Sequence, residues 1–157
     1  LGDVYKRQVR AILLDPHPAL RRRAEAPAAY DEALGALARD LLDTMYAAPG
    51  RGLAAPQVGV PIRLFVMDPT WRDGVAAPLA LADPRLLWAS EETATLEEGC
   101  LSIPGRTFAV TRPARVRLAW RDLDGRGREG AFEGVAAAAV QHELDHLDGV
   151  LVTDRTA

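Results

Sequence analysis

Between Asp31 and Ala48 the apolar side chains fall at Leu34, Leu37, Leu41, Leu42 and Met45, the three- and four-residue spacing of one helical face. Asp31 is a good capping residue and Pro49-Gly50 a stop, so an amphipathic helix is predicted over 31–48. The next stretch, Arg51-Gly52-Leu53-Ala54-Ala55-Pro56-Gln57-Val58-Gly59, holds too much Gly and Pro for a helix and too many apolar side chains for a solvent loop. It reads as a buried, shaped loop. Short β-like runs follow at 62–67, 79–82, 92–96, 107–110 and 116–121, separated by Pro, Gly and Asp clusters such as Asp122-Leu123-Asp124-Gly125, and these turns predict antiparallel strands. Residues 134–147 are rich in alanine and stop at Asp148-Gly149, which predicts a second helix, buried because its first half carries no charge. The tail, 148–157, has room for one last short strand. The expected class is α+β: short antiparallel strands around a central buried helix, with an amphipathic helix nearer the N-terminus.

The chain has 157 residues, 48% apolar and 26% charged, enough for one core and too few for two ordinary domains. The 19 basic and 22 acidic residues leave a net charge of −3, and no basic run exceeds Arg21-Arg22-Arg23, so direct nucleic-acid binding is not expected. Uncharged stretches such as 53–62 and 74–82 fall short of the roughly 18 apolar residues of a membrane helix, so the protein reads as soluble, cytoplasmic and free of the membrane. Of the basic residues only Lys6 is a lysine. It lies in residues 1–8, which are set aside as a non-native leader, leaving 9–157 as a single catalytic domain. One cysteine, Cys100, excludes an internal disulfide, so this thiol must serve packing or chemistry.

Chemistry concentrates in the second helix. In His142-Glu143-Leu144-Asp145-His146 two imidazoles four residues apart share one face, separated by about one turn, and can grip one metal ion. Glu143 lies about 100° round from His142, placed to take a proton from a water that the metal activates. The plain alternative is a charged, solvated helix end. The preceding alanines weigh against it, as does the presence of two of the three histidines at ligand spacing. Two protein ligands would hold a metal weakly, and Cys100 is the natural third, in Glu97-Glu98-Gly99-Cys100-Leu101-Ser102-Ile103-Pro104. A small buried core thiol is the competing reading.

Three separated motifs then resemble the peptide deformylases, which remove the N-formyl group from new proteins: Gly50-Arg51-Gly52-Leu53-Ala54-Ala55-Pro56-Gln57, Glu98-Gly99-Cys100-Leu101-Ser102 and Gln141-His142-Glu143-Leu144-Asp145-His146. Asp15-Pro16-His17-Pro18-Ala19-Leu20-Arg21 also resembles the family's first loop, so the similarity runs over 9–155. The resemblance implies Cys100, His142 and His146 as ligands of one divalent metal, Fe(II) by family habit, with Zn, Ni or Co also suited to the donors. It implies Glu143 as general base and acid. Gln57 and the Leu101 backbone N–H would donate to the formyl oxygen as charge builds there. The implied partner is an N-formylmethionyl peptide or nascent chain, met by a monomer with only a passing association with the ribosome.

Gly52, Arg51, Glu98, Gly99, Ala138 and Ala139 are expected to meet the substrate. Gly52 fits a contact to the substrate backbone and a tight turn equally well. Ala138 and Ala139, four and three residues before His142, stand where relatives commonly carry larger residues, so the first side-chain pocket should be roomy. Arg51 stands where an apolar residue is often found. Asp145 is either an orienting acid, paired with an arginine such as Arg112, or an ordinary solvated one. His17 reads as a surface residue and Trp71, Trp88 and Trp120 as packing. Competing functions are a small zinc peptidase, since His-Glu-x-x-His occurs in many, and an inactive metal-binding homologue.

Overall fold

The computed structural model describes residues 6–156. Helix α1 spans Glu32–Ala47, and the Asp31 side chain accepts from the Leu34 amide at its start. Seven strands follow in the described residues: β1 (Gly52–Ala54), β2 (Leu64–Met67), β3 (Leu79–Ala89), β4 (Thr93–Cys100), β5 (Ile103–Pro113), β6 (Arg115–Arg121) and β7 (Gly127–Glu133). Helix α2, Gly134–Leu147, comes after them. The sheet order is β1-β2-β3-β6-β7, all antiparallel, with β4 and β5 forming a separate hairpin. The fold is α+β.

Strand β2 shows how the two cores are divided. All four of its residues are buried, and because successive side chains point to opposite faces, Leu64 and Val66 join α1 while Phe65 and Met67 join α2. β1 continues the pattern with Leu53 toward α1 and Ala54 toward α2, and β3 with Ala82 and Leu81. The helices therefore cover opposite faces of the sheet, and each fully buried Leu or Phe contributes roughly 1.5–3 kcal/mol.

Several expectations need correction. The 51–59 stretch is a short strand followed by one 3-10 turn, Ala55–Val58, opened by Ala55-Pro56. Strands β3 to β5 run well beyond their predicted bounds, and β7 went unpredicted because Gly127–Glu133 has no regular alternation of apolar residues. The tail curls into a 3-10 turn, Val152–Asp154, and makes a single bridge from Val110 to Thr156 in place of a strand. Asp154 causes this: its carboxylate accepts from the Leu151 amide and pairs with Arg21. Trp88 is half exposed, whereas Trp71 and Trp120 pack on Tyr46 and Phe132. Of residues 1–8, the first five lie outside the described residues; Arg7 pairs with Asp43, and the Gln8 amide donates to Asp40, on α1.

Helix α2 is buried on one side of its first half and over nearly all of its second. Its first residues, Gly134 and Val135, are exposed, with Val135 50% accessible, Ala137 and Val140 are core, and the charged half from Gln141 to Leu147 is almost wholly inside, a burial its charges did not suggest. Gly149, at φ +75°, turns the chain away directly after this half, and a Cβ there would stand 2.4 Å from the Arg21 carbonyl oxygen.

Candidate metal centre and its cleft

Strand β4 ends at Cys100, and the chain turns through Leu101 and Ser102 into β5, which places the thiol opposite the inner face of α2. One turn of α2 separates His142 from His146, and their Nε2 atoms face each other at 3.1 Å. Cys100 Sγ is 3.5 Å from His146 Nε2, and the three donors lie within 4.8 Å of one another. All three residues are buried.

This donor set fits a divalent cation. Two ring nitrogens 3.1 Å apart cannot both point an N–H at each other, so they share one proton or one metal. The Nδ1 atom of His142 faces Glu98 Oε1 at 3.0 Å, which makes Nδ1 an N–H donor and leaves Nε2 as the atom that a metal would take in exchange for a proton. Burial works against a charge on His142, yet the Cys100 sulfur, Glu98 and Glu143 outweigh it and raise the pKa to about 10. Burial, followed by repulsion from His142, pushes His146 well below its ordinary value.

Behind the donors lies a buried charge network. Burial opposes ionisation of Glu98, but His142 and Arg112 hold its carboxyl below the usual range. Arg112 donates to both Glu98 oxygens, Nε at 2.7 Å and Nη2 at 3.0 Å, and through Nη1 to Asp145 Oδ2 at 3.0 Å. Arg155 donates to the two Asp145 oxygens at 3.1 and 3.0 Å. Asp145 is thus the arginine-paired acid. Arg112 welds β5 to both β4 and α2 where the thiol and imidazoles must meet.

Glu143 is 4% exposed, and its Oε1 has no hydrogen-bond partner. Burial raises its pKa to about 7. Gly52 lies directly against it, for a Cβ at that position would stand 2.5 Å from Glu143 Oε2. Gln57 is clamped at both ends of its amide: Oε1 accepts from the Ala54 N–H at 3.0 Å and Nε2 donates to Ser102 Oγ at 3.0 Å. With Oε1 so fixed, the amino group is turned toward Cys100, 3.9 Å from Sγ.

These groups border a cleft of about 550 Å³, whose walls also include Arg51, Gly99, Leu101, Ala138 and Ala139. Every candidate site residue except His146 therefore lines the cleft; His146 lies beneath the wall, 1% exposed. Glu98 borders the cleft too, but its carboxylate is committed to Arg112 and His142, so its part is to orient His142. Sequence reasoning missed Ser102 as the acceptor for Gln57 although it stands two residues after Cys100. It also missed Arg72 and Arg106 at the cleft mouth, since nothing local marks them.

The profile described as polypeptide deformylase matches residues 9–157. The chain belongs to the peptide deformylase family. The peptide deformylase of Phenylobacterium zucineum is 48% identical over 146 residues, covering 93% of this chain and 86% of that protein. That of Methylocella silvestris is 47% identical over 149 residues, covering 93% and 76%. The crystal structure of peptide deformylase from Thermotoga maritima superposes with a TM-score of 0.90 at 39% identity, covering 96% of this chain and 99% of that one. Membership in the deformylase family sets aside the small zinc peptidase. Among the described residues no helix is long and apolar enough to cross a membrane.

Proposed function

We propose that this chain hydrolyses the N-formyl group of N-formylmethionyl peptides and nascent proteins, using Cys100, His142 and His146 to hold one divalent metal and Glu143 to move the proton. The observation that carries this reading is the convergence of three buried donors beside an unpartnered carboxylate in a deformylase-family chain. The metal supplies Lewis acidity and brings water within reach of deprotonation near neutral pH. Thiolate and imidazole ligands suit Fe(II), the family's usual ion, as well as Zn, Ni or Co.

Glu143 Oε1, free of partners in the cleft, takes the proton of the attacking water as its oxygen bonds to the formyl carbon. Glu143 then gives that proton to the departing amine nitrogen as the C–N bond breaks, leaving formate and a free N-terminus. A pKa of about 7 suits both halves of this exchange. The formyl oxygen gains charge in the transition state; the Gln57 Nε2–H turned toward Cys100 and the Leu101 backbone N–H would donate to it. Ala138 and Ala139 leave room for the first side chain, which favours tolerance of residues bulkier than methionine. The protein acts in the cytoplasm as a monomer, meeting chains as they leave the ribosome.

The test is formate release from formyl-Met-Ala-Ser by protein reconstituted anaerobically with Fe(II) or Ni(II), beside Cys100→Ala and Glu143→Ala. Turnover by wild type and failure of both variants is expected. A folded, metal-loaded wild type that releases no formate would make the chain an inactive scaffold.

A further inference from the structure

The mouth of the cleft carries a charge that the chain as a whole does not. Arg51, Arg72 and Arg106 line it, opposed among its exposed charged residues only by Glu97, which leaves the rim at about +2 on a chain of net charge −3. All three arginines are exposed, and none joins an ion pair among the described residues.

The rim is built. The Trp71 indole N–H donates to the Gly50 carbonyl at 2.8 Å, which ties the 3-10 turn Trp71–Asp73, with Arg72, to the residue before Arg51. The Asp68 amide donates to the Arg51 carbonyl at 2.9 Å, fixing that backbone. In β5, Arg106 follows Gly105 (φ +79°) past the β4–β5 turn, and its guanidinium lies 4.8 Å from the centre of the Phe108 ring. Three cations thus line the same cleft as Cys100, His142 and Glu143.

We propose that this rim selects substrates by charge, favouring formylated chains with acidic side chains at the second to fourth residues over chains with basic ones there. This rests on the reading of the cleft as a deformylase site. A formyl group seated at the floor leaves the following residues to run outward at about 3.3 Å each, and arginines unpaired at the mouth are free to meet carboxylates. Each screened contact is worth a factor of about 1.5 to 5, so three give on the order of tenfold. The advantage is electrostatic and falls with salt.

The experiment compares kcat/KM for formyl-Met-Ala-Ala, formyl-Met-Asp-Asp and formyl-Met-Lys-Lys at 20 and 300 mM salt. Wild type is compared with a triple variant, Arg51→Gln, Arg72→Gln and Arg106→Gln. Thermal unfolding checks that the variant is folded. The ratio of acidic to basic substrate is read within each protein, so any common loss of activity cancels. Wild type is expected to prefer the acidic peptide about tenfold at low salt, two- to threefold at high salt, and the variant to show a ratio near one. An equal ratio in wild type and variant overturns the charge selection while turnover of formyl-Met-Ala-Ala leaves the deformylase reading standing; no turnover of that neutral peptide overturns both. Inhibition by polyuridine with no dependence on peptide charge would make the rim an RNA contact and also overturn the proposal.

Discussion

Gly52 and Glu143 are matched so closely that the smallest side chain would part them: a methyl group on Gly52 would sit 2.5 Å from Glu143 Oε2 and 3.1 Å from its carboxyl carbon. Gly52 is therefore a requirement of the carboxylate's position. Gly52→Ala is expected to lower kcat by one to two orders of magnitude, since displacing a reacting group by under an ångström is that costly. Steady-state kinetics together with circular dichroism would check it; near-normal kcat would show that Glu143 tolerates the shift.

Removing the carboxylate separates rate from stability. Glu143→Gln keeps the shape while removing the proton carrier, so turnover should fall by about 10² to 10⁴. Thermal unfolding should not fall, because the buried Oε1 has no partner to lose. A variant that unfolds much earlier than wild type would mean that Glu143 is structural.

Gln57 should act chiefly on kcat. Its amide is held by Ala54 and Ser102 before any ligand arrives, so Gln57→Ala is expected to cost on the order of 10² or more in rate with a smaller change in KM. A change confined to KM would assign it to ground-state binding.

Arg112 carries the largest structural effect. Arg112→Leu leaves Glu98 buried with no cation beyond His142 and takes one of two partners from Asp145, so it should cost about 3–5 kcal/mol. Metal affinity should fall about 10- to 100-fold as His142 loses its anchored acceptor. Urea unfolding and competitive metal titration would measure the two effects, and a stable variant with unchanged affinity would refute the network's role.

The alkaline limb of the stability curve should belong to tyrosine. Burial, with the hydrogen bond to Asp68, raises the Tyr46 hydroxyl to about 12 from an ordinary 10. A raised pKa contributes stability that is present in full below pH 10 and is lost as pH climbs from 10 to 12. Lys6 being the only lysine, few other side chains titrate in that window. Tyr46→Phe should therefore be about 1–2 kcal/mol less stable than wild type at pH 8 and close to equal near pH 12, by urea unfolding. A gap that stays constant with pH would exclude Tyr46 as the source.

The sequence disclosed what repeats or is named by local chemistry. Helix α1 was legible because Leu34, Leu37, Leu41 and Met45 keep helical spacing behind a capping Asp31, and all lie in the core. His142, His146 and Cys100 stood out as a scarce residue set. The burial of α2 was legible only in part, because a run of alanines looks like core throughout, while the charges at Glu143 and Asp145 look like surface. In the fold Ala137 is core but Ala138 and Ala139 border an open cleft, and the charges sit inside, where Arg112 neutralises Asp145. The clamp on Gln57 and the pairing of Glu98 with Arg112 depend on the β4–β5 turn and its register, which no local pattern specifies.

Strand β2, divided residue by residue between the two helices, has a consequence for how this chain can vary. Losing or gaining one residue between Leu64 and Met67 would flip every strand residue beyond the change to the opposite face, sending α1-side residues toward α2 and α2-side residues toward α1. Loops such as 74–78, exposed along their whole length, can absorb insertions, but β2 behaves as a fixed reading frame. Length changes in descendants of this chain should collect in such loops and be absent from these four positions.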